Sequence, residues 1–354
     1  MSLEGTATPL HAGWASGELE SQETCPLCGG GRRAPLHTEL EDRLYGVAGR
    51  WTLWSCASCT AAWLDPRPTR ESIGRAYVRY QTHERSARPA GLVRHGPFRA
   101  LKERRARGFL NTSLGHRLAP AWPGVVARRL LTLRGQRRLD DLVRHLPPPS
   151  SPGVPLLDVG CGNGSFLGIA ALLGYEPEGV EPDPRAVEVA RGGGWRVHHG
   201  GLPHSDLQAA RFEQLTACHV IEHVHDPLAF LVHCRTLLRS GGRLWVQTPN
   251  LSGHGHAFWG RDWRGLEPPR HLTLFTPEAL HGVCLKAGFD DVRFLPPPLD
   301  AGEMFRHSLA VRLGVRGHKP TLDREARRAV QRALRDARGD PTVGESLVLV
   351  ARAP

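Results

Sequence analysis

Residues 156–167 read Leu-Leu-Asp-Val-Gly-Cys-Gly-Asn-Gly-Ser-Phe-Leu, and no other stretch restricts the fold as much. Apolar residues run into Asp158, glycines fall at Gly160, Gly162 and Gly164, and an apolar run follows from Phe166 to Tyr175. This is the pattern of a strand, a tight glycine turn and a buried helix. Without Cβ atoms the turn reaches backbone conformations that other residues avoid, and a small organic cofactor can approach its N–H groups closely. Spacing narrows the ligand. A dinucleotide fingerprint needs G-x-G-x-x-G, whereas here the third glycine comes one residue early and Ser165 stands in its place, which disfavours NAD and FAD. No Gly-Lys-Ser/Thr follows, so the turn is not a P-loop.

Further landmarks follow in order: GVEPDP at 179–184, HVIEHVHDP at 219–227, LLRSGGRLWVQTPN at 237–250, HLTLFTPEALHGVCLKAGF at 271–289, and GESLVLVAR near the C-terminus. Together with DVGCGNG, this ordered set resembles the class I S-adenosylmethionine (SAM) dependent methyltransferases over about 145–300. The resemblance implies an α/β fold, a doubly wound Rossmann-like seven-stranded sheet, with SAM as methyl donor. It places Asp158, Gly160, Cys161, Gly162, Asn163 and Gly164 at the cofactor, with Glu181, Pro182 and Asp183 after the second strand, Leu202 after the third and His219 after the fourth. Glu181 lies about twenty residues beyond the glycine turn, where an acid accepts hydrogen bonds from both ribose hydroxyls; the alternative is an exposed loop carboxylate. Asp158 either orients the glycine loop or meets the cofactor's amino group. Gly200, Gly201 and Leu202 stand where many relatives carry an acid for adenine, which leaves backbone groups or Asp206 for that task.

Upstream, Cys25-Pro-Leu-Cys28 and Cys56-Ala-Ser-Cys59 form two C-x-x-C pairs with 27 residues between them. That spacing lets two knuckles converge on one tetrahedral Zn²⁺, held structurally by Cys25, Cys28, Cys56 and Cys59. Gly29 suits the tight backbone after the first pair, while Thr60 stands where the second favours glycine. A disulfide conflicts with the missing secretion signal in the first 24 residues, and a redox motif does not account for two pairs. The other cysteines, Cys161, Cys218, Cys234 and Cys284, sit singly in apolar contexts and read as core. No run reaches the roughly eighteen apolar residues of a membrane span, and a soluble, cytoplasmic protein is expected.

Between the cysteines and the glycine turn the composition shifts. From Arg94 to Arg144 there are thirteen Lys/Arg against three acids, a local balance of +10 that accounts for most of the chain's +11. Leucines, valines and Trp122 are interleaved, so one or two basic amphipathic helices are expected. Such a face suits RNA, anionic lipid or an acidic substrate such as a nucleotide-sugar; the alternative is a solvated helical cap. Pro147 to Pro149 mark the boundary with the core. The 354 residues thus divide into a loose tail (1–23), a zinc ribbon (24–68), a basic helical cap (69–148), a SAM-binding core (149–300), and an inserted helix with a final antiparallel strand (301–354).

Methyl transfer from a sulfonium is an in-line displacement that needs alignment above all, plus a base where the attacking group must lose a proton. The fourth expected strand runs into Cys218-His219-Val220-Ile221-Glu222-His223. H-x-x-E-H also matches a zinc-protease pattern, but that needs a helix and this segment leaves a strand. Two roles are implied by resemblance. In ubiquinone-type O-methyltransferases an E-x-x-E-H cluster here binds a divalent metal that holds a catechol-like acceptor, and His219 replaces its first glutamate. In sugar C-methyltransferases, which share a cysteine-rich N-terminal part, a Glu-His pair abstracts a proton. Otherwise Glu222 and His223 merely cap the following loop and helix.

Trp259, Trp263, Arg270 and His271 share a Gly- and Pro-rich loop of the kind that captures substrate, unless the tryptophans anchor that loop to the basic helices. Thr69 reads as the cap of a short helix whose face carries Ile73, Tyr77 and Tyr80. The resemblance allows Tyr77 or Tyr80 to reach the active site. The expected function is methyl transfer from SAM to oxygen or carbon of a small-molecule or sugar-bearing metabolite. A zinc-ribbon RNA methyltransferase and a non-catalytic SAM-binding scaffold are the alternatives.

Overall fold

The computed structural model describes residues 13–79, 91–93, 98–317 and 320–354. Tyr80 lies outside them. The chain begins with five short strands: β1 (Leu19–Glu20), β2 (Arg33–Leu40), β3 (Trp51–Cys56), β4 (Ala62–Leu64) and β5 (Arg67–Pro68). Three helices follow, α1 (Arg99–Ser113), α2 (Gly124–Arg129) and α3 (Leu133–Leu142). The alternating part then runs β6 (Val154–Val159), α4 (Ser165–Leu172), β7 (Tyr175–Glu181), α5 (Pro184–Gly192), β8 (Arg196–His199), β9 (Phe212–Cys218), α6 (Pro227–Leu237) and β10 (Leu238–Pro249). Last come α7 (His254–Trp259), β11 (Thr273–Leu274), α8 (Pro277–Lys286), β12 (Asp290–Leu295), α9 (Ala301–Leu313), α10 (Arg324–Gly339) and β13 (Ser346–Arg352). No helix among the described residues is long and apolar enough to cross a membrane.

Seven strands form one sheet in the order β12-β13-β10-β9-β6-β7-β8. Strands β9 and β10 are buried over almost their whole length, as strands covered by helices on both faces must be. Strand β13 enters antiparallel to β10, with Leu349 opposite Val246 on one side and Phe294 of β12 on the other. Helices α9 and α10 fill the connection between β12 and β13. The helices start where short polar side chains cap them: Asp183, Asp226 and Thr276 each accept a backbone N–H, and proline follows each at the first turn.

The N-terminal strands do not stand alone. Their sheet runs β11-β4-β3-β2, so its outer strand is supplied by residues far downstream, with Thr273 opposite Trp63 and Leu274 opposite Ala62. Cys25, Leu27 and Trp63 share one apolar cluster with Leu215, Val246, Phe275 and Leu280 of the large sheet and its helices. The basic segment forms three helices rather than one or two. Its buried face, including Phe109, Leu110, Leu139 and Val143, packs on Leu156, Phe166 and Ile169 beneath the glycine turn.

Two local expectations change. The segment after Thr69 is a single 3-10 turn over Ile73–Tyr77, and Thr69 receives the Ser72 N–H at 3.3 Å. Trp259 and Trp263 are buried against α9 and α10, not against the basic helices, in a cluster with Phe305, Ala329 and Val330.

Candidate active site

Strand β6 delivers its glycine turn to the carboxyl edge of the sheet, where ligands of open α/β folds bind. Gly160, Gly162 and Gly164 have φ of +68°, +54° and +79°. At Gly160 the lack of a side chain is compulsory, because a Cβ there would lie 2.5 Å from Val220 Cγ2. The loop after β9 is therefore pressed onto the turn. At Gly162 a Cβ would meet nothing within 4 Å, so the backbone there faces open space. Cys161 Sγ turns under the sheet toward Gly179 and leaves only its backbone on the turn. Asn163 Oδ1 accepts the N–H of Ser165 at 3.2 Å and its hydroxyl at 2.7 Å, which starts α4.

Glu181, at the end of β7, closes over the same turn. Its Oε2 accepts the Gly162 N–H at 2.8 Å and its Oε1 the Asp183 N–H at 2.9 Å. The side chain is buried, and burial raises its carboxyl pKa against these two bonds. Asp183 caps α5 through the Arg185 N–H, and the Pro182 carbonyl faces His199 Nε2 at 3.2 Å. Leu202 is half-buried against the core, and Asp206 is exposed, its N–H facing His204 Nδ1 at 3.3 Å. Asp158 is fully buried: it accepts hydrogen bonds from Arg144 and, at 2.9 Å, from Thr216 Oγ1. These bonds tie it to Arg144 and to β9, and its Oδ2 is buried with no hydrogen-bond partner. Arg144, counted by sequence with a solvent-facing basic run, is drawn inward to this carboxylate and stacks 3.6 Å over the Phe166 ring.

The loop after β9 carries the ionisable cluster. His219 takes a left-handed φ of +54°, held by its N–H on the Gln247 carbonyl at 2.8 Å, and a 3-10 turn over Ile221–His223 follows. Glu222 is fully buried; His219 Nδ1 lies 3.0 Å from its Oε1, and Thr248 Oγ1 donates to its Oε2 at 2.9 Å. Burial alone would raise the Glu222 pKa, but the bond from His219 and the nearby His223 and His271 hold it down at about 2. The pairing raises the pKa of His219 against burial, and its ring is still 46 % exposed.

His223 Nδ1 faces the Arg270 carbonyl at 3.0 Å and the Tyr77 hydroxyl at 2.9 Å. A carbonyl can only accept, so Nδ1 carries the proton and Nε2 of the neutral ring keeps its lone pair. His271 is set the same way, with Nδ1 on the Gly265 carbonyl at 2.7 Å. Its ring centroid is 4.7 Å from that of His223. Burial, then the charge of His223, lowers the pKa of His271 to about 4.

Arg270, which the sequence placed in a substrate-capturing loop, is 1 % exposed and fully engaged. Its guanidinium donates to Asp42 Oδ2 at 2.8 Å, Glu267 Oε1 at 3.0 Å and the Ala76 carbonyl at 3.1 Å. It thereby fixes the residue before Tyr77, while its own carbonyl orients His223 and its chain neighbour is His271. Sequence reading missed this function, and also Asp42, Thr248 and Glu267, because their partners lie far away along the chain.

A methyltransferase-domain family profile matches residues 131–293. A ubiquinone biosynthesis O-methyltransferase of Methylocella silvestris is 31 % identical over 184 residues, covering 46 % of this chain and 70 % of that protein. The chain belongs to the class I SAM-dependent methyltransferase family. A second ubiquinone biosynthesis O-methyltransferase, from Cereibacter sphaeroides, is 36 % identical over 152 residues, 40 % of this chain, and the chain spans 62 % of that relative's length. Among solved structures, a putative methyltransferase in complex with the Haloferax volcanii Trm112 activator aligns with TM-score 0.44 and 17 % identity over 61 % of this chain and 88 % of that one.

This methyltransferase carries two sets of side chains that can hold a metal. Cys25 and Cys59 approach to 3.5 Å between sulfurs, as do Cys28 and Cys56, and all four sulfurs lie within 4.8 Å of one another. Four thiolates about 2.3 Å from one zinc have tetrahedral edges near 4 Å, so the set fits. Thr60, the departure from glycine, adopts φ +63° and bonds Thr276 Oγ1 at 2.7 Å. The second set is Glu222, His223 and His271, also within 4.8 Å of one another; His219 is not in it.

Proposed function

We propose that this methyltransferase moves the methyl group of SAM to a hydroxyl oxygen of a small-molecule metabolite in the cytoplasm, with His223 as general base. The observation that carries this reading is the contact of Val220 with Gly160, which sets the histidine loop against the donor turn. The donor lies over Gly160–Gly164, its ribose hydroxyls on the outer lone pairs of Glu181, its adenine toward Leu202. The acceptor hydroxyl attacks the methyl carbon, the carbon–sulfur bond breaks, and the hydroxyl proton passes to His223 Nε2, leaving S-adenosylhomocysteine. Tyr77 and the Arg270 carbonyl orient the imidazole. His271, kept neutral by burial, adds no competing charge. The ubiquinone biosynthesis O-methyltransferases support oxygen as the accepting atom. His223→Ala should lower kcat by about 100-fold or more while SAM affinity by calorimetry stays within about twofold. Unchanged turnover in that variant refutes the base.

A second reading has its own support in the closeness of Glu222, His223 and His271, whose ligand atoms lie within 4.8 Å of one another: a divalent cation held there would polarise the acceptor hydroxyl. Turnover that survives exhaustive dialysis against a chelator, with the cysteine-bound metal retained by mass spectrometry, separates the base from the cation. The four cysteines are proposed to hold Zn²⁺ with no open position, which gives a structural site, and a reducing cytoplasm keeps their thiols available.

A further inference from the structure

We infer that the outer face of α1–α3 is a docking surface for an anionic phospholipid bilayer. Six of the ten large apolar side chains that stand exposed among the described residues fall between Phe98 and Leu133, so the face is unlike the rest of the surface. Leu101, Val125, Val126, Leu130 and Leu133 are 47 %, 65 %, 45 %, 53 % and 42 % exposed. They stand on, or at the ends of, three helices that share one apolar cluster. Helices α1 and α2 pack where Gly108 meets Ala127, and Arg105 reaches the Leu130 carbonyl at 3.5 Å, one turn along α1 from Leu101. Leu130, the residue that ends α2, lies one turn from Val126 and donates its N–H to the Val126 carbonyl at 3.1 Å.

Charge is sorted around this apolar strip. Lys102, Arg128, Arg129, Arg134 and Arg138 are exposed, whereas none of the three acids of the segment is. Glu103 is taken up by the N–H groups of Leu92 and Val93 at 3.0 and 2.9 Å, while Asp140 and Asp141 have carboxylate oxygens out of contact with solvent. Cations beside aliphatic side chains suit a bilayer surface, where the aliphatic groups enter the headgroup–acyl boundary and the cations meet anionic headgroups. RNA uses the cations but gains little from valine and leucine, since bases stack on aromatic rings. The inference does not rest on the acceptor or on His223.

Flotation of the full-length protein with vesicles of phosphatidylcholine, alone or mixed with phosphatidylglycerol, tests it. Binding should require phosphatidylglycerol and weaken with salt. It should fall about fivefold for each of Arg129→Ala and Arg134→Ala and about tenfold or more for Leu130→Ser. Circular dichroism and SAM uptake of these variants should match the parent, which keeps folding out of the result. Equal recovery with both vesicles, or with neither, overturns the proposal. So does RNA binding that depends on the arginines and ignores Leu130→Ser, an outcome that assigns the face to nucleic acid.

Discussion

Asp42→Asn separates a positioning role for Arg270 from a substrate-binding one. The Asp42 and Arg270 side chains are 3 % and 1 % exposed, and their bond joins the loop after β2 to the loop that carries His271. Removing one partner of a buried ion pair costs about 3–5 kcal/mol, and the lower end applies here because Glu267 still faces the guanidinium at 3.0 Å. Asparagine keeps an oxygen for the N–H groups of Leu44 and Tyr45, at 3.2 and 3.0 Å, so the loss is mainly electrostatic. About 3 kcal/mol is a large part of an ordinary domain's stability. The urea midpoint should fall accordingly, at unchanged slope. If Arg270 sets the Ala76 carbonyl, Tyr77 and His223 as a unit, kcat should drop while KM for the acceptor stays near the parent value. An unaltered kcat and midpoint in Asp42→Asn refute the positioning role; a raised KM alone returns Arg270 to substrate contact.

Four other outcomes follow from the geometry. Gly160→Ala drives a Cβ into Val220 at a φ of +68°, so SAM uptake by calorimetry should be abolished or weakened by about 100-fold, with stability down by about 1–3 kcal/mol. His271, at about 4 when folded against an ordinary 6.5, takes up its proton more readily unfolded, so its contribution is whole above pH 6.5 and lost as pH falls through 4; a His271→Gln variant should lack that slope in urea titrations from pH 7 to 4. Burial lifts Glu345 to about 8, so its contribution is lost as pH rises from 4.5 through 8, and Glu345→Gln should gain stability over the parent at pH 8 to 9 while differing little near pH 4.5. Removing the Zn²⁺ proposed for the four cysteines should lower Tm and also shift the His271 NMR signals, because β11 begins two residues beyond that ring; an unshifted His271 would separate the cysteine cluster from the site.

The legible part of this chain is the part written in local spacing. Three glycines in five residues announced the tight turn after β6 because all three adopt left-handed backbone, and at Gly160 Val220 also leaves no room for a side chain. The seven-stranded sheet that the resemblance implied is present, with the last strand lying antiparallel between β10 and β12. What stayed hidden is non-local. Arg144 counts as one more cation in a basic run until the fold brings a buried Asp158 beneath it. Arg270 looks like a substrate-capturing residue until Asp42, 228 residues earlier, is placed 2.8 Å away.

The same reason blurs the ribbon's boundary. A two-residue strand, Thr273–Leu274, has no period to read, yet it completes the ribbon's sheet. Through it Leu64 donates its N–H to the Leu272 carbonyl, and Leu272 donates its own to the carbonyl of Glu222. Two hydrogen bonds thus separate the cysteine-bearing sheet from the loop that carries Glu222 and His223. A displacement of that sheet would therefore act directly on the backbone of the residues that flank His223, which is why metal removal is expected to reach His271.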